Sequence, residues 1–525
     1  MDEALALKIR LCRSSGIGHI FGKCSGWLGI LLSILAILLT HHLAGRVFEF
    51  LPHLEDEMAY TWQAKAYAGG ALTVPTPVDG KSFIVPFVVD YGGQRFSKYP
   101  PGWSMLLSLG VRLGMRDWVN PLLAGLTIWL IYRLGARYFS PPIGLLSAAL
   151  TLTSPFFLLN SASLLSHPWS LVLTLAFVAA WLDLFFGDEP SPGRAALLGL
   201  LAGLSLGALA ITRPLTAVGI ALPFIGHGLY LLLFASPRRR LWAVGIAFLV
   251  LVVSALLPLW QYAVTGDPWL NPYTLWWPYD KVGFGEGYGR QKGGHSLFWA
   301  WVNLRVSLNA GAKDLFGWGS ISWLFLPFGL AWWLQRPSKT PRWLLFSLAP
   351  ALILVYMAYW IGAQLFGPRY YYEALASLVW YTAAGLAWFF EHPPAGLRPF
   401  LRPALALLMV TLVGYNFLLY LPQRLEEMEG LYGIRRAYVD ALIHEPSIRT
   451  PALIFIRIQK TWTEYGTFLD LEDPWLTSPY IFAMARGSAD QKVMDAFPER
   501  YVYRCRLERQ RISCLLERSL NNVER

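Results

Sequence analysis

A chain of 525 residues that is 55% hydrophobic and only 15% charged lies well below the ~25% charged residues of soluble domains. That composition excludes a string of soluble domains and points to a polytopic membrane protein. The formal net charge of +11 does not mark a nucleic-acid binder, because the basic residues sit in short clusters between apolar segments, as they do in cytoplasmic loops.

A span of a ~30 Å hydrocarbon core takes about 20 apolar residues. Such segments fall at about 27–46, 118–138, 142–159, 168–186, 195–211, 215–235, 241–261, 319–334, 343–361, 374–390 and 403–420. The fold class expected is therefore mostly α: a membrane helix bundle of about eleven spans. The first segment is too long, and lacks the small-residue cleavage site, for a removed signal peptide. "PPGWSMLLSLGVRLG" (100–114) is a twelfth candidate. Lys and Arg arbitrate. Lys8, Arg10, Arg13 and Lys23, then Arg133 and Arg137, Arg194, Arg238 to Arg240, Arg336, Lys339 and Arg342, and Arg398 and Arg402 occupy alternate connections. With eleven spans they all share one side, the cytoplasm; with twelve the first group opposes the rest. Residues 100–114 are accordingly expected to lie as a helix at the outer interface.

Three regions follow. Residues 1–26 form a cytoplasmic N-terminal segment, 27–420 a membrane domain with outer loops 47–117 and 262–318, and 421–525 an extracytoplasmic domain. The short inner loops read as connectors, so function is expected at the outer face. In the tail, "PQRLEEMEGLYGIRRAYVDALI" reads as one helix, "ALIFIRI", "IFAMA" and "RYVYRCRL" as strands and "DQKVMDAF" as a short helix, a small α/β domain. Cys12 and Cys24 precede the first span and are expected to be reduced. Cys505 and Cys514 face each other if a hairpin turns at Arg509–Gln510. A disulfide and two free thiols both fit that spacing, and no metal-like Cys/His spacing occurs.

The densest acidic cluster, Glu55, Asp56 and Glu57 in "EDEMAYTWQAKAYAGG", follows the first span directly. A short helix is expected from Glu57 to Ala68, stopped by Gly69–Gly70. Asp56 sits where an N-cap belongs and Glu57 where a carboxylate complements the dipole. A cap needs one short polar residue, however, not three acids, and an aspartate at an outer bilayer boundary also suits a base meeting a lipid headgroup. Lys98 precedes Pro-Pro in "KYPPGW", where it either snorkels or meets a headgroup. Arg213 in "ITRPLT" and Arg369 in "FGPRYYYE" stand at outer span junctions. Each either pairs with a carboxylate, Arg369 with Glu373 at i,i+4, or grips a phosphate. His167 in "LLSHPWS" reads as a hydrogen-bonded structural histidine before a catalytic one. Asp267, Asp280, Glu286 and His295, with the aromatic residues of loop 262–318, are second-rank candidates; those aromatic faces suit sugar stacking or an interfacial belt equally.

Acids and cations converging at the outer leaflet suit sugar transfer from a polyprenyl phosphate. A carboxylate takes the acceptor hydroxyl's proton, and cations stabilise the charge developing on the departing phosphate. A transporter or lipid flippase is the alternative. It would place ionisable groups near the midplane, often on repeated broken helices, whereas the span centres here are almost uncharged and Asp183 lies towards an inner end.

"EDEMAYTWQAKAYAGG", "KYPPGW", "YRLGARYFSPPIGLLSAAL" and "GPRYYYEAL" together resemble the GT-C glycosyltransferases, over about residues 25–420. Most similar is the branch of protein O-mannosyltransferases, lipid A aminoarabinose transferases and RgtA/B/C/D-like bacterial enzymes. The resemblance implies an inverting membrane transferase that uses a polyprenyl-phosphate sugar donor and a lipid, glycan or protein acceptor. The family's first-loop aspartate matches Asp56, with Glu57 beside it, and the lysine before Pro-Pro matches Lys98; Arg213 and Arg369 match as donor-phosphate cations by approximate place. His167, Tyr370, Glu373 and His295 follow as possible substrate contacts. The family's second acidic motif has no counterpart in "NSASLLSHP", where His167 stands instead. That argues against a catalytic divalent metal and for a monophosphate donor, and no cofactor is implied.

Overall fold

The computed structural model describes residues 25–186, 188–335, 342–391, 396, 398–458, 462–508 and 511–519. Cys12, Cys24 and the basic cluster Lys8 to Lys23, together with Arg336 and Lys339, lie outside the described residues. The described part opens with α1 (Ser25–Arg46). The first loop then carries α2 (Glu55–Ala68) and α3 (Pro101–Arg112), with strands β1 (Val74–Pro75), β2 (Val88–Tyr91) and β3 (Gln94–Ser97) between them as an antiparallel sheet of order β1-β3-β2. The bundle continues with α4 (Val119–Tyr138), α5 (Pro141–Leu152), α6 (Pro155–Ala162), α7 (His167–Phe185), α8 (Pro192–Ala210), α9 (Pro214–Phe234) and α10 (Pro237–Ser254), which α11 (Leu256–Thr265) prolongs. Loop helices α12 (Tyr273–Trp276) and α13 (Leu297–Asp314) precede α14 (Leu326–Leu334), α15 (Arg342–Tyr356), α16 (Leu375–Glu391) and α17 (Arg398–Tyr415).

Ser-Pro pairs open four of these helices. Ser140-Pro141, Ser154-Pro155, Ser191-Pro192 and Ser236-Pro237 each put proline where no intrahelical donor is needed. The Ser140 and Ser154 hydroxyls accept from Ile143 N and Phe157 N, satisfying first-turn donors. Between α5 and α6 the chain bends by 61°. The Asn416 amide donates to the Thr153 carbonyl at 2.8 Å, supplying a partner where the helix breaks.

Among the described residues eight helices are long and apolar enough to span, nine if the bent α5–α6 pair counts as one. This is an integral membrane protein. The expected spans 319–334 and 343–361 form shorter helices, α14 with nine residues and α15 with fifteen. Gly319, at positive φ, opens the first, whose helix begins only at Leu326, and the second leaves its helix after Tyr356. α14 lies so close on α16 that a Cβ at Gly385 would fall 2.1 Å from Phe325 O, the small-residue contact typical of membrane helices. α3, at twelve residues, spans only about 18 Å and packs on α2.

The expected tail helix is two, α18 (Leu421–Met428) and α19 (Arg436–Ile443), because Gly430 and Gly433 both take positive φ between them. Beyond them lie β4 (Ala452–Ile456), α20 (Thr463–Gly466), β5 (Tyr480–Met484), α21 (Asp490–Ala496), β6 (Tyr501–Glu508) and β7 (Arg511–Arg518), forming a mixed sheet of order β5-β4-β6-β7. β4 runs parallel to β5 and β6, and β6–β7 is the expected hairpin, with Cys505 opposite Cys514 and bridged to it.

This domain is seated on the first loop. Phe83 is buried among Leu453, Phe455, Ile481 and Val502, and Met484 N donates to Ser82 O at 2.7 Å. Arg116 and Lys65 reach the Asp470 carboxylate at 2.5 and 3.6 Å. Burial opposes its charge, but Arg116 and Lys65 hold the Asp470 carboxyl down at about 2.

Candidate active site

α2 begins at Glu55, and its N-cap is Leu54 rather than Asp56. The capping is done by Glu57. Its Oε2 accepts from His53 N and Leu54 N, both at 2.8 Å, and its Oε1 from Leu164 N at 2.6 Å. Glu57 is 1% exposed and does not line the cavity described next; it ties α2 to the chain between α6 and α7. Successive helical residues point ~100° apart, so while Glu57 turns into the bundle, Glu55 and Asp56 turn the other way.

There they line a cavity of ≈ 510 Å³ with Lys98, His167, Arg213, Asp280, Arg369 and Tyr370. Six stretches supply it, all from one end of the bundle: α2 and the following loop, the N-terminus of α7, the α8–α9 junction, α11, loop 262–318 and the turn after α15. The "PPGW" motif fixes one of these relationships. Gly102 N donates to Ile211 O at 2.9 Å, and a Cβ at Gly102 would lie 2.3 Å from Thr212 Oγ1. The glycine therefore lets α3 sit against the backbone that leads into Arg213.

Three ion pairs organise the cavity. Asp56 Oδ2 meets Arg369 Nη2 at 3.3 Å, and the Tyr99 hydroxyl donates to Oδ1. Burial would raise the Asp56 pKa, but Arg369, the Tyr99 hydroxyl and Lys98 together hold it below the usual carboxylate range. Burial and the charge of Asp56 push neighbouring Glu55 up. Adjacent carboxyls are thus driven apart, and Asp56 stays ionised at neutral pH.

Lys98 pairs with Asp280 at 3.2 Å, with both side chains almost fully buried, so it does not snorkel. Its ammonium lies 3.7 Å from the Phe87 ring centroid and 4.6 Å from that of Trp277, within cation–π range. Burial pushes Lys98 down against the pull of Asp280 and Asp56. Asp280 also accepts from the Tyr359 hydroxyl at 2.8 Å and from Trp360 Nε1 at 2.9 Å.

The third pair is Arg213 with Glu373 at 3.4 Å, Arg213 also donating to the Tyr356 hydroxyl at 3.2 Å and Glu373 accepting from Ser170. Arg369 therefore pairs with Asp56 and not with Glu373 at i,i+4. Arg369 Nη1 is buried without a partner among the described residues, and Tyr370 stacks on Tyr356 with centroids 5.2 Å apart.

His167 departs from the structural expectation. It is 5% exposed, lines the cavity, and finds no hydrogen-bond partner for either ring nitrogen among the described residues. His295 lies off the cavity, with Nε2 at 2.9 Å from Met357 O and its ring stacked on Phe284. Asp267 and Glu286 are off it as well, Asp267 accepting from Trp269 N within its own turn. At the far end of α7, sixteen residues or about 24 Å from His167, Asp183 pairs with Arg137 and Arg194.

Sequence reasoning missed Tyr99, Tyr356 and Tyr359, and it singled out Glu55 only as part of the acidic cluster. The motif "KYPPGW" carries Tyr99 next to Lys98, the one available signal; for tyrosines spread over loop and turn there is none.

Bundle, mixed sheet and first-loop helices together have the fold of ArnT. ArnT from Cupriavidus metallidurans bound to undecaprenyl phosphate matches with a TM-score of 0.60 over 94% of this chain and 99% of that one, at 13% identity. Its apo form matches with a TM-score of 0.56 at 14% identity over 92% and 93%. The apo oligosaccharyltransferase of Archaeoglobus fulgidus gives a TM-score of 0.48 at 14% identity, covering 85% of this chain and 64% of that one. No family model and no curated protein matches the sequence.

Proposed function

We propose that the protein transfers a sugar from a polyprenyl-phosphate donor to an acceptor hydroxyl at the outer face of the membrane, with inversion and with Asp56 as base. The observation that carries this reading is one cavity holding Asp56, Lys98, Arg213 and Arg369 in a fold shared with a protein solved bound to undecaprenyl phosphate. The acceptor oxygen bonds to the anomeric carbon as the carbon–oxygen bond to phosphate breaks. The hydroxyl proton passes to Asp56, and the lipid phosphate leaves with the bonding pair. A phosphate leaves well unprotonated, so the chain's task there is positive charge. Arg369 brings an Nη1 without a partner among the described residues, and Lys98 and Arg213 bring charge now balanced by Asp280 and Glu373. Arg369 also positions the base.

The topology that suits this chemistry places residues 1–26 in the cytoplasm and the domain 421–525 outside, with the lipid tail between spans and its headgroup at the cavity. The test is label transfer from polyprenyl-phosphate sugars to envelope glycan, glycolipid and protein fractions by the full chain in vesicles. A covalent labelled product with inverted anomeric configuration is expected. Solute or lipid movement without any covalent product would establish the transporter reading instead.

A further inference from the structure

We propose that His167 reads a hydroxyl of an uncharged sugar ring and thereby selects the donor; this rests on the transferase reading above. The imidazole sits at the first turn of α7, where its ring meets the edge of Tyr372 with centroids 6.0 Å apart. Neighbouring hydroxyls are committed elsewhere: Ser166 to Tyr60 at 3.4 Å, Ser170 to Glu373 and to its own helix. Buried polar atoms are almost always hydrogen-bonded, and those that are not call for a specific cause. Here two such atoms belong to one ring that faces a cavity. The cause that fits is a ligand.

The surroundings define that ligand's chemistry. Arg213 and Arg369 line the same cavity. Both are donors only, whereas a neutral imidazole has one donor and one acceptor. A partner for it must give and take hydrogen bonds, as a hydroxyl does. An ammonium gives only and leaves the imidazole's own donor without an acceptor. A phosphate takes only and is better served by those arginines. Tyr273, Trp277, Tyr359 and Trp360 also line the cavity, giving it aromatic walls of the kind sugar rings pack against. The site thus fits a neutral, polyhydroxylated sugar and disfavours an amino sugar.

The experiment compares undecaprenyl-phosphate glucose, galactose and mannose, undecaprenyl-phosphate 4-amino-4-deoxyarabinose, and the mono-deoxy forms of whichever neutral sugar is transferred fastest. Wild-type full chain, His167→Ala and His167→Asn are assayed, and binding of undecaprenyl phosphate alone is measured. Wild type should prefer a neutral sugar and lose about 10²-fold in kcat/KM on removal of one particular hydroxyl. His167→Ala should lose a similar factor with the parent sugar and no longer distinguish the deoxy form. His167→Asn, which keeps a donor and an acceptor, should recover part of the discrimination. Affinity for undecaprenyl phosphate should stay within twofold throughout. Undiminished discrimination in His167→Ala, preference of wild type for the amino sugar, or a parallel loss of undecaprenyl-phosphate affinity would overturn the assignment while leaving the transferase reading intact. Transfer of no sugar by wild type would overturn both.

Discussion

Asp56→Asn separates charge from shape at the centre of the proposed chemistry. The amide keeps the size of the carboxylate and an acceptor for the Tyr99 hydroxyl, but it removes the negative charge 3.3 Å from Arg369 and the ability to take a proton. Loss of a general base costs about 10²–10⁴-fold in rate, which at ~1.36 kcal/mol per decade is about 3–5 kcal/mol of transition-state stabilisation. Stability should change less. The side chains of this pair are 20% and 17% exposed, so breaking it should cost about 1–3 kcal/mol, below the ~3–5 kcal/mol for a fully buried pair. Turnover is measured on size-matched, detergent-solubilised protein between pH 5 and 9. Because Asp56 is held below the ordinary carboxylate range, wild-type activity should stay level across the acidic part of this window, where an unperturbed carboxylate would begin to lose its charge. Asp56→Glu should recover part of the loss. Turnover of Asp56→Asn within tenfold of wild type, with folding intact, would refute the base assignment.

Lys98→Ala leaves Asp280 buried without its cation, so it should destabilise by about 3–5 kcal/mol and raise the half-saturating donor concentration; adding Asp280→Asn should return most of the stability but not the donor affinity. Equal thermal melts for wild type and Lys98→Ala would refute the buried pair. Gly102→Ala drives a Cβ to 2.9 Å from Ile211 O, an overpacking expected to cost about 1–3 kcal/mol. It should also lower turnover per folded molecule by moving the backbone that leads into Arg213, and unchanged kinetics would show that this contact does not set the site. Glu472, 5% exposed, accepts from Phe482 N, and burial raises its carboxyl to about 8, above the ~4.3 of a free glutamate. Its contribution to stability is therefore whole below about pH 4, fades as pH rises and is gone above about 8, on the order of a few kcal/mol in all. Glu472→Gln, fixed in the neutral form, should hold its melting temperature from pH 7 to 9 while wild type falls, and parallel melting profiles would refute the shift.

Much of this arrangement could be read from the chain because membrane insertion separates residue types so strongly. Charged residues at span ends are few, so Asp56, Lys98, Arg213 and Arg369 stood out, and all four line one cavity. Their partners were not legible. Asp280 lies 182 residues from Lys98 in a loop with no regular period, and Arg369 had an acid four residues on that proved to serve Arg213. Composition cannot separate Asp56 from Glu57 either; helical phase alone turns one to the cavity and the other to backbone donors. Shorter α14 and α15 were hidden because apolar content fixes where a helix can be buried and not where its hydrogen bonding stops. In the tail the signal was present, since Gly430 and Gly433 interrupt the long helical pattern they sit in.

The insertion of Phe83 among strands that end near Val502 sets an order of events during biosynthesis. Ribosomal synthesis delivers α2 with the first span, but the strands that enclose its loop emerge some four hundred residues later. Until the last of them has been synthesised, the first loop that bears Asp56 lacks the strands that enclose Phe83, so the assembled pocket is a late product of synthesis and a chain cut short before Val502 would leave it unbraced.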